Sequence, residues 1–374
     1  MTILEEQRKQ KAPKVGQATP SQPAPAETRS PILTCMADVV SKEVDWLWQN
    51  RIPMGRLSLL VGRPGEGKSF LTLELASHIS TGRDFPDGSV CPSGSVIVIS
   101  AEDDPADTIK PRLDACKADP ARIHVLSGVK YTAHDGQVGE RAFTLADVPM
   151  LEASLESHPD CKLVIIDPIG SFIGGATDAH RDNEVRAVLA PVAALASKFN
   201  VAVLIVAHRR KASGDFADDS ALGSRAFTGI ARVVWHLSRD PDNKERKLFL
   251  SGKNNLAPEG EGLAFRIEGR PGRIVWEEGA VSMTADEAQA AEARTAAANR
   301  KPGPVPDARQ KAAQWLGDQL AQGPRAPNEL KAEAKKAGLK WRTIERAKKD
   351  LEVVSHRSGF GGAVLWGLLD LQRG

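Results

Sequence analysis

Eight consecutive residues, Gly62-Arg63-Pro64-Gly65-Glu66-Gly67-Lys68-Ser69, form a complete G-x-x-x-x-G-K-S pattern. Each residue type has a task at a phosphate. The glycines let the backbone turn its N–H groups inward around phosphate oxygens, Lys68 neutralises charge on the β- and γ-phosphates, and Ser69 offers a hydroxyl to Mg²⁺. The run follows the apolar segment LSLLV and opens the helical pattern FLTLELASHI at Phe70, so a bound phosphate also faces a helix N-terminus. Residues 62–70 are therefore candidate nucleotide contacts, with ATP and Mg²⁺ the expected ligands.

Two acidic positions complement the loop. Asp167 ends the apolar run Leu163-Val164-Ile165-Ile166 and is placed to hold Mg²⁺ directly or through its water shell. Glu102 follows the apolar run SVIVIS, where a carboxylate can orient and deprotonate a water attacking the γ-phosphate. Asp103 is a candidate supporting partner. The competing reading of this acidic cluster is a solvated helix cap, a role that suits Asp104 ahead of Pro105.

These groups need a scaffold that brings strand ends together. Short apolar runs at 57–61, 95–100, 122–126, 163–166 and 201–207 alternate with helical patterns, which predicts an α/β core with a mainly parallel sheet. Consecutive strand-like pieces at 233–237, 247–250, 264–268 and 273–276 predict an antiparallel extension. Residues 1–31 are rich in Pro, Gln and charge, so a disordered tail is expected over 1–33. The main domain is expected over 34–279. Residues 280–308 are Ala-rich and then Pro/Gly-rich, which predicts a flexible, partly helical linker.

The 374-residue chain carries a formal charge of +2 that hides an asymmetry. Residues 309–374 hold 13 Lys+Arg against 7 Asp+Glu, whereas the remainder holds 37 against 41. A basic C-terminal module on an acidic body points toward a polyanion. No apolar run reaches the length of a membrane span and the N-terminus lacks a signal core, so a cytoplasmic location is expected. Cys35, Cys91, Cys116 and Cys161 have no metal-binding spacing and are expected as buried thiols.

The stretch LSLLVGRPGEGKS, preceded by DWLW and PMG, together with AEDDPADTIKPRLDA, LVIIDPIGSFI and LIVAHRRK, resembles the RecA-like P-loop ATPases of the RepA-type hexameric helicase group of plasmids and phages. The resemblance spans about residues 34–270. It implies a ring with ATP at subunit interfaces and DNA in the channel. It further implies that Glu102 is the catalytic base, Asp167 the Mg²⁺ aspartate and His208 a γ-phosphate sensor. Arg232 is similar to an arginine finger reaching the neighbouring subunit, with Arg225 a competitor. Lys253 resembles a lysine acting in trans, although Asn255 stands where a second basic residue is usual.

Arg209, Arg210 and Lys211 follow His208 and suit a DNA backbone, while Asp215, Asp218 and Asp219 in the same loop oppose it. After the linker, helical patterns at 309–321, 327–337 and 341–351 precede two strand-like runs, the order of a winged helix-turn-helix over 309–374. Trp341, Ile344, Ala347 and Leu351 make a buried stripe. Arg342, Arg346 and Lys349 fall on another face suited to a major groove, and His356 and Arg357 lie near the wing. Trp315 and Trp366 are expected in the module's core. The expected function is an ATP-dependent DNA helicase or translocase, hexameric, in replication of a mobile element. A nucleotide-gated DNA-binding ATPase without unwinding is the alternative.

Overall fold

The computed structural model describes residues 31, 33–133, 135–174, 181–209, 217–220, 225–298, 307–357 and 363–368. The expected tail thus lies outside the described residues apart from Pro31 and Leu33. Two compact units are present, 1–44 and 45–374. In the first, Cys35 is exposed rather than buried, because the segment around it (Leu33, Met36, Val40) leaves its apolar side chains in solvent.

The second unit is organised by a nine-stranded sheet. Its strands are β1 (Leu57–Gly62), β2 (Ser95–Ser100), β3 (Ile123–Val125), β4 (Cys161–Asp167), β5 (Ala202–His208), β6 (Val233–Arg239), β7 (Lys247–Asn254), β8 (Leu263–Glu268) and β9 (Arg273–Trp276). Their order is β9-β8-β7-β6-β1-β5-β4-β2-β3. All pairings from β6 to β3 are parallel, and those from β6 to β9 are antiparallel. The sheet agrees with expectation except at β6, which joins the parallel block beside β1; the antiparallel extension begins only at β7.

Strands buried on both faces explain the near-continuous apolar runs. Alternate residues divide between two cores. Leu59, Val61, Ile97, Ile99, Val164, Ile166, Val203 and Ile205 face α2 (Val148–Ser157) and α3 (Asp182–Phe199). Leu60, Val96, Val98, Leu163, Ile165, Leu204 and Val206 face α1 (Lys68–Thr81). Helix α3 shows why one side suffices: Val185, Leu189, Val192 and Ala196 recur at helical spacing and are buried, and Asn200 ends the helix at φ 47°. Helix α1 is buried along most of its length and stops at Gly82 (φ 68°).

Two short antiparallel hairpins, Trp46–Trp48 with Ile52–Pro53 and Gly128–Thr132 with Val138–Ala142, were not foreseen. Residues 280–308, expected as a flexible linker, contain α4 (Ala285–Ala298). Its Ala285 and Ala288 are buried against Leu248, Leu250 and Ala264, so this part of the stretch is docked. Alanines seat a helix closely on a sheet without needing large apolar side chains. Beyond it, α5 (Asp307–Leu320), α6 (Pro327–Lys336) and α7 (Trp341–Asp350) pack with the hairpin Val354–Arg357/Val364–Gly367. Their core contains Leu316, Leu320, Leu330, Ile344, Ala347 and Trp366, with Trp315, Trp341 and Leu351 against it. Trp341 stacks on Trp366 with ring centres 5.3 Å apart.

Candidate nucleotide site

Strand register assembles the site. Gly62 of β1 pairs with His208 of β5, and Ser100 of β2 pairs with Asp167 of β4. Adjacent strands lie ~4.8 Å apart, so the loop after β1, His208, Asp167 and the chain after β2 share one sheet edge within about three such steps. A cavity of about 180 Å³ there is lined by Pro64, Gly65, Gly67, Lys68, Ser69, Phe70, Glu102, Asp103, Arg112, Asp167 and His208.

The loop's geometry explains its glycines. Gly65 and Gly67 have φ of 75° and 98°, a region costly for any other residue. A Cβ on Gly67 would also lie 2.7 Å from Cδ1 of Ile267. At Gly62 a Cβ would lie 2.9 Å from the carbonyl oxygen of Leu237. The Lys68 ammonium donates to the carbonyls of Gly62 (3.0 Å) and Arg63 (2.9 Å), which holds it inside the loop. Burial pulls its pKa below the ordinary lysine range, opposed by Asp167, Glu66 and Glu102.

Asp167 is 7% exposed, and burial raises its carboxyl to about 6 against a hydrogen bond from Ser69 and the charge of Lys68. A serine hydroxyl and a carboxylate in contact at the mouth of a phosphate loop fit Mg²⁺, whose ligands are oxygens. The glycine cradle and buried lysine fit a nucleotide's phosphates. Glu102 is open to solvent, and its Oε1 lies 3.7 Å from Nε2 of His208. The other nitrogen of His208, Nδ1, is buried with no hydrogen-bond partner among the described residues. Asp104 caps the following helical turn, accepting from the N–H groups of Ala106 (2.7 Å) and Asp107 (3.1 Å).

Several site residues carry no obvious sequence signal. Arg112 pairs with Asp103 at 2.9 Å and lies over the Phe70 ring at 4.2 Å, so Asp103 braces the cavity wall. Arg239, at the end of β6, borders Gly65. That proximity comes from β6 pairing with β1, which no local pattern announces. Glu66, counted only as part of the loop, is buried and accepts from the N–H of Arg63 at 2.5 Å.

Other expected residues lie elsewhere. Arg209, expected at DNA, is 6% exposed, and its guanidinium is taken by Glu66 and Glu292; it is not presented to solvent. Arg210 and Lys211 lie outside the described residues. The N–H of Arg232 donates to the Leu57 carbonyl, at the opposite end of β1 from Gly62. Five residue steps at ~3.3 Å separate those ends, so Arg232 is remote from its own chain's phosphate loop. Lys253 is at the same far edge and donates to the carbonyls of Thr228 (2.7 Å) and Ala231 (3.1 Å). Arg225 is exposed just before the short helix Ala226–Ile230. On α7, Arg342, Arg346 and Lys349 are exposed, as is Arg357 on the hairpin.

Among the described residues, no helix is long and apolar enough to cross a membrane. A family model described as an AAA domain matches residues 25–214, just over half of the chain. The matched span contains the phosphate loop, Glu102, Asp167 and His208, and ends before Arg232 and Lys253. No curated protein matches the chain.

Proposed function

The chain belongs to this AAA domain family and is a P-loop ATPase, and from that premise we propose that it is an ATP-dependent DNA helicase or translocase working as a RecA-like ring. The carrying observation is the single cavity that gathers Lys68, Ser69, Glu102, Asp167 and His208 at one sheet edge. In this reading Glu102 orients a water for in-line attack on the γ-phosphate and accepts its proton. Lys68 offsets charge on the β/γ oxygens. Ser69 and Asp167 would hold Mg²⁺, which neutralises charge on the phosphates when bound. His208, facing Glu102, senses the γ-phosphate.

Arg232 is exposed and far from its own loop, which supports a role in a neighbouring subunit's site. The ring is read as a hexamer, by resemblance. The C-terminal unit of three helices and a hairpin supports a winged-helix reading, with duplex DNA against α7 and a single strand in the channel. Replication of a plasmid, phage or other mobile element is the setting the resemblance suggests. The second reading is a nucleotide-gated DNA-binding ATPase without unwinding. It is favoured by Lys253, whose ammonium is engaged by its own chain's carbonyls, and by Asn255 two positions on.

Strand displacement on forked DNA separates the two. The motor reading expects ATP-dependent unwinding that Glu102→Gln abolishes while nucleotide binding persists. DNA-stimulated turnover without unwinding on several fork geometries favours the second reading.

A further inference from the structure

Residues far apart in sequence meet beside the phosphate loop. Arg209 donates to Oε2 of Glu292 and lies 3.6 Å from Oε1 of Glu66. The same Glu292 oxygen is 3.1 Å from the guanidinium of Arg63. Two carboxylates and two guanidiniums thus form one cluster, in which Arg63 is half-exposed, Arg209 and Glu66 are buried, and the Glu292 side chain is 10% exposed. The N–H of Arg209 donates to the Gly62 carbonyl at 3.0 Å, and Arg209 directly follows His208.

Glu292 lies on α4, and this helix has a second hold. Asp286 accepts the N–H of Ala217 at 2.6 Å. Its neighbour Asp218 in turn receives a 2.7 Å contact from Nε2 of His236 and the N–H of Lys253 at 3.1 Å. Helix α4 therefore grips the chain both where it leaves β5, at Arg209, and at Ala217, while also touching the phosphate loop. Ala285 and Ala288 seat it on the sheet.

We propose that α4 is a strut that positions His208 and the phosphate loop and shifts with the state of the γ-phosphate, with Glu292 as its positioning residue. The inference rests on the ATPase reading of the site. Its physical basis is an incompletely satisfied buried network: among the described residues, Nε of Arg209 and Oε1 of Glu292 have no hydrogen-bond partner. A spare donor and a spare acceptor favour rearrangement when a polyanion draws the two arginines toward the loop.

The test uses the full chain and a non-hydrolysable ATP analogue with Mg²⁺. Hydrogen exchange in wild-type α4 should change several-fold on analogue binding. Glu292→Gln should lower kcat about tenfold with KM within about threefold, and erase the exchange response. Glu292→Asp should recover part of both, and Asp286→Asn, which weakens only the Ala217 hold, should reduce the response at 217–220. A Glu292→Gln chain with a lowered Tm but wild-type kcat and exchange response would make the contact merely structural and overturn the proposal. Analogue binding without any α4 response overturns it alone, whereas a wild-type chain that binds no analogue overturns the ATPase reading with it.

Discussion

Asp167 shows how burial tunes a single residue for its work. Its carboxyl sits near 6 because desolvation outweighs Ser69 and Lys68, and Asp103 and Glu102 add repulsion. A carboxyl raised above its usual 3.8 favours the folded protein fully below that value, and this contribution is lost as pH rises through about 6. Mg²⁺ needs the opposite protonation state. Mg²⁺ affinity, measured by calorimetry in the presence of an ATP analogue, should weaken about tenfold per pH unit below about 6. Asp167→Asn should bind weakly at every pH and lose that slope. A slope unchanged in the variant would assign the titration to another group. The acid itself is legible in sequence because an apolar strand ending in a carboxylate is a local pattern. Its raised pKa is not, since that depends on burial between neighbouring strands and on Glu102 and Asp103 approaching from the segment after β2, against the opposing charge of Lys68 from the phosphate loop.

At the scale of elements, the strands were readable because parallel strands buried on both faces give nearly unbroken apolar runs. The helices of the C-terminal unit were readable from spacing: Ile344 and Ala347 are buried while Arg342, Arg346 and Lys349 are exposed. On the DNA-binding reading proposed above, Arg342→Ala with Arg346→Ala should weaken DNA binding and lower the salt slope of log K by about two, one for each lost phosphate contact. Fluorescence anisotropy across a salt series measures it, with turnover in the absence of DNA unchanged. An unaltered slope would remove α7 from the proposed DNA contact. Helix α4 was the element hardest to read. Its seat is made of alanines, and its two acidic contacts, Asp286 and Glu292, look like ordinary solvated charge until the sheet beneath them is in place.

For the whole molecule, the proposed action of Arg232 in a neighbouring subunit's site would make assembly part of the chemistry. Arg232→Ala and Lys68→Ala chains should each turn over ATP poorly. Mixed in equal amounts, they should recover activity through hybrid interfaces, about a quarter of all interfaces under random mixing. A steady-state ATPase titration of one variant into the other, with mixing verified by co-purification, measures this. No recovery would show that Arg232 does not act across an interface.

What the sequence determined alone was local: the phosphate loop, in which glycines and a lysine must stand at fixed offsets, the strand-ending acid, and the period of each apolar run. The charge of the C-terminal 66 residues was equally plain. Only the tertiary structure decided which groups meet. Pairing of β1 with β5 set His208 beside Gly62, and pairing with β6 brought Arg239 to Gly65. The same assembly buried Arg209, which reads in sequence as the first of three free cations, beneath a carboxylate from more than eighty residues downstream. A contact between distant segments depends on strand order and helix seating, and neither leaves a mark on the residues that eventually touch.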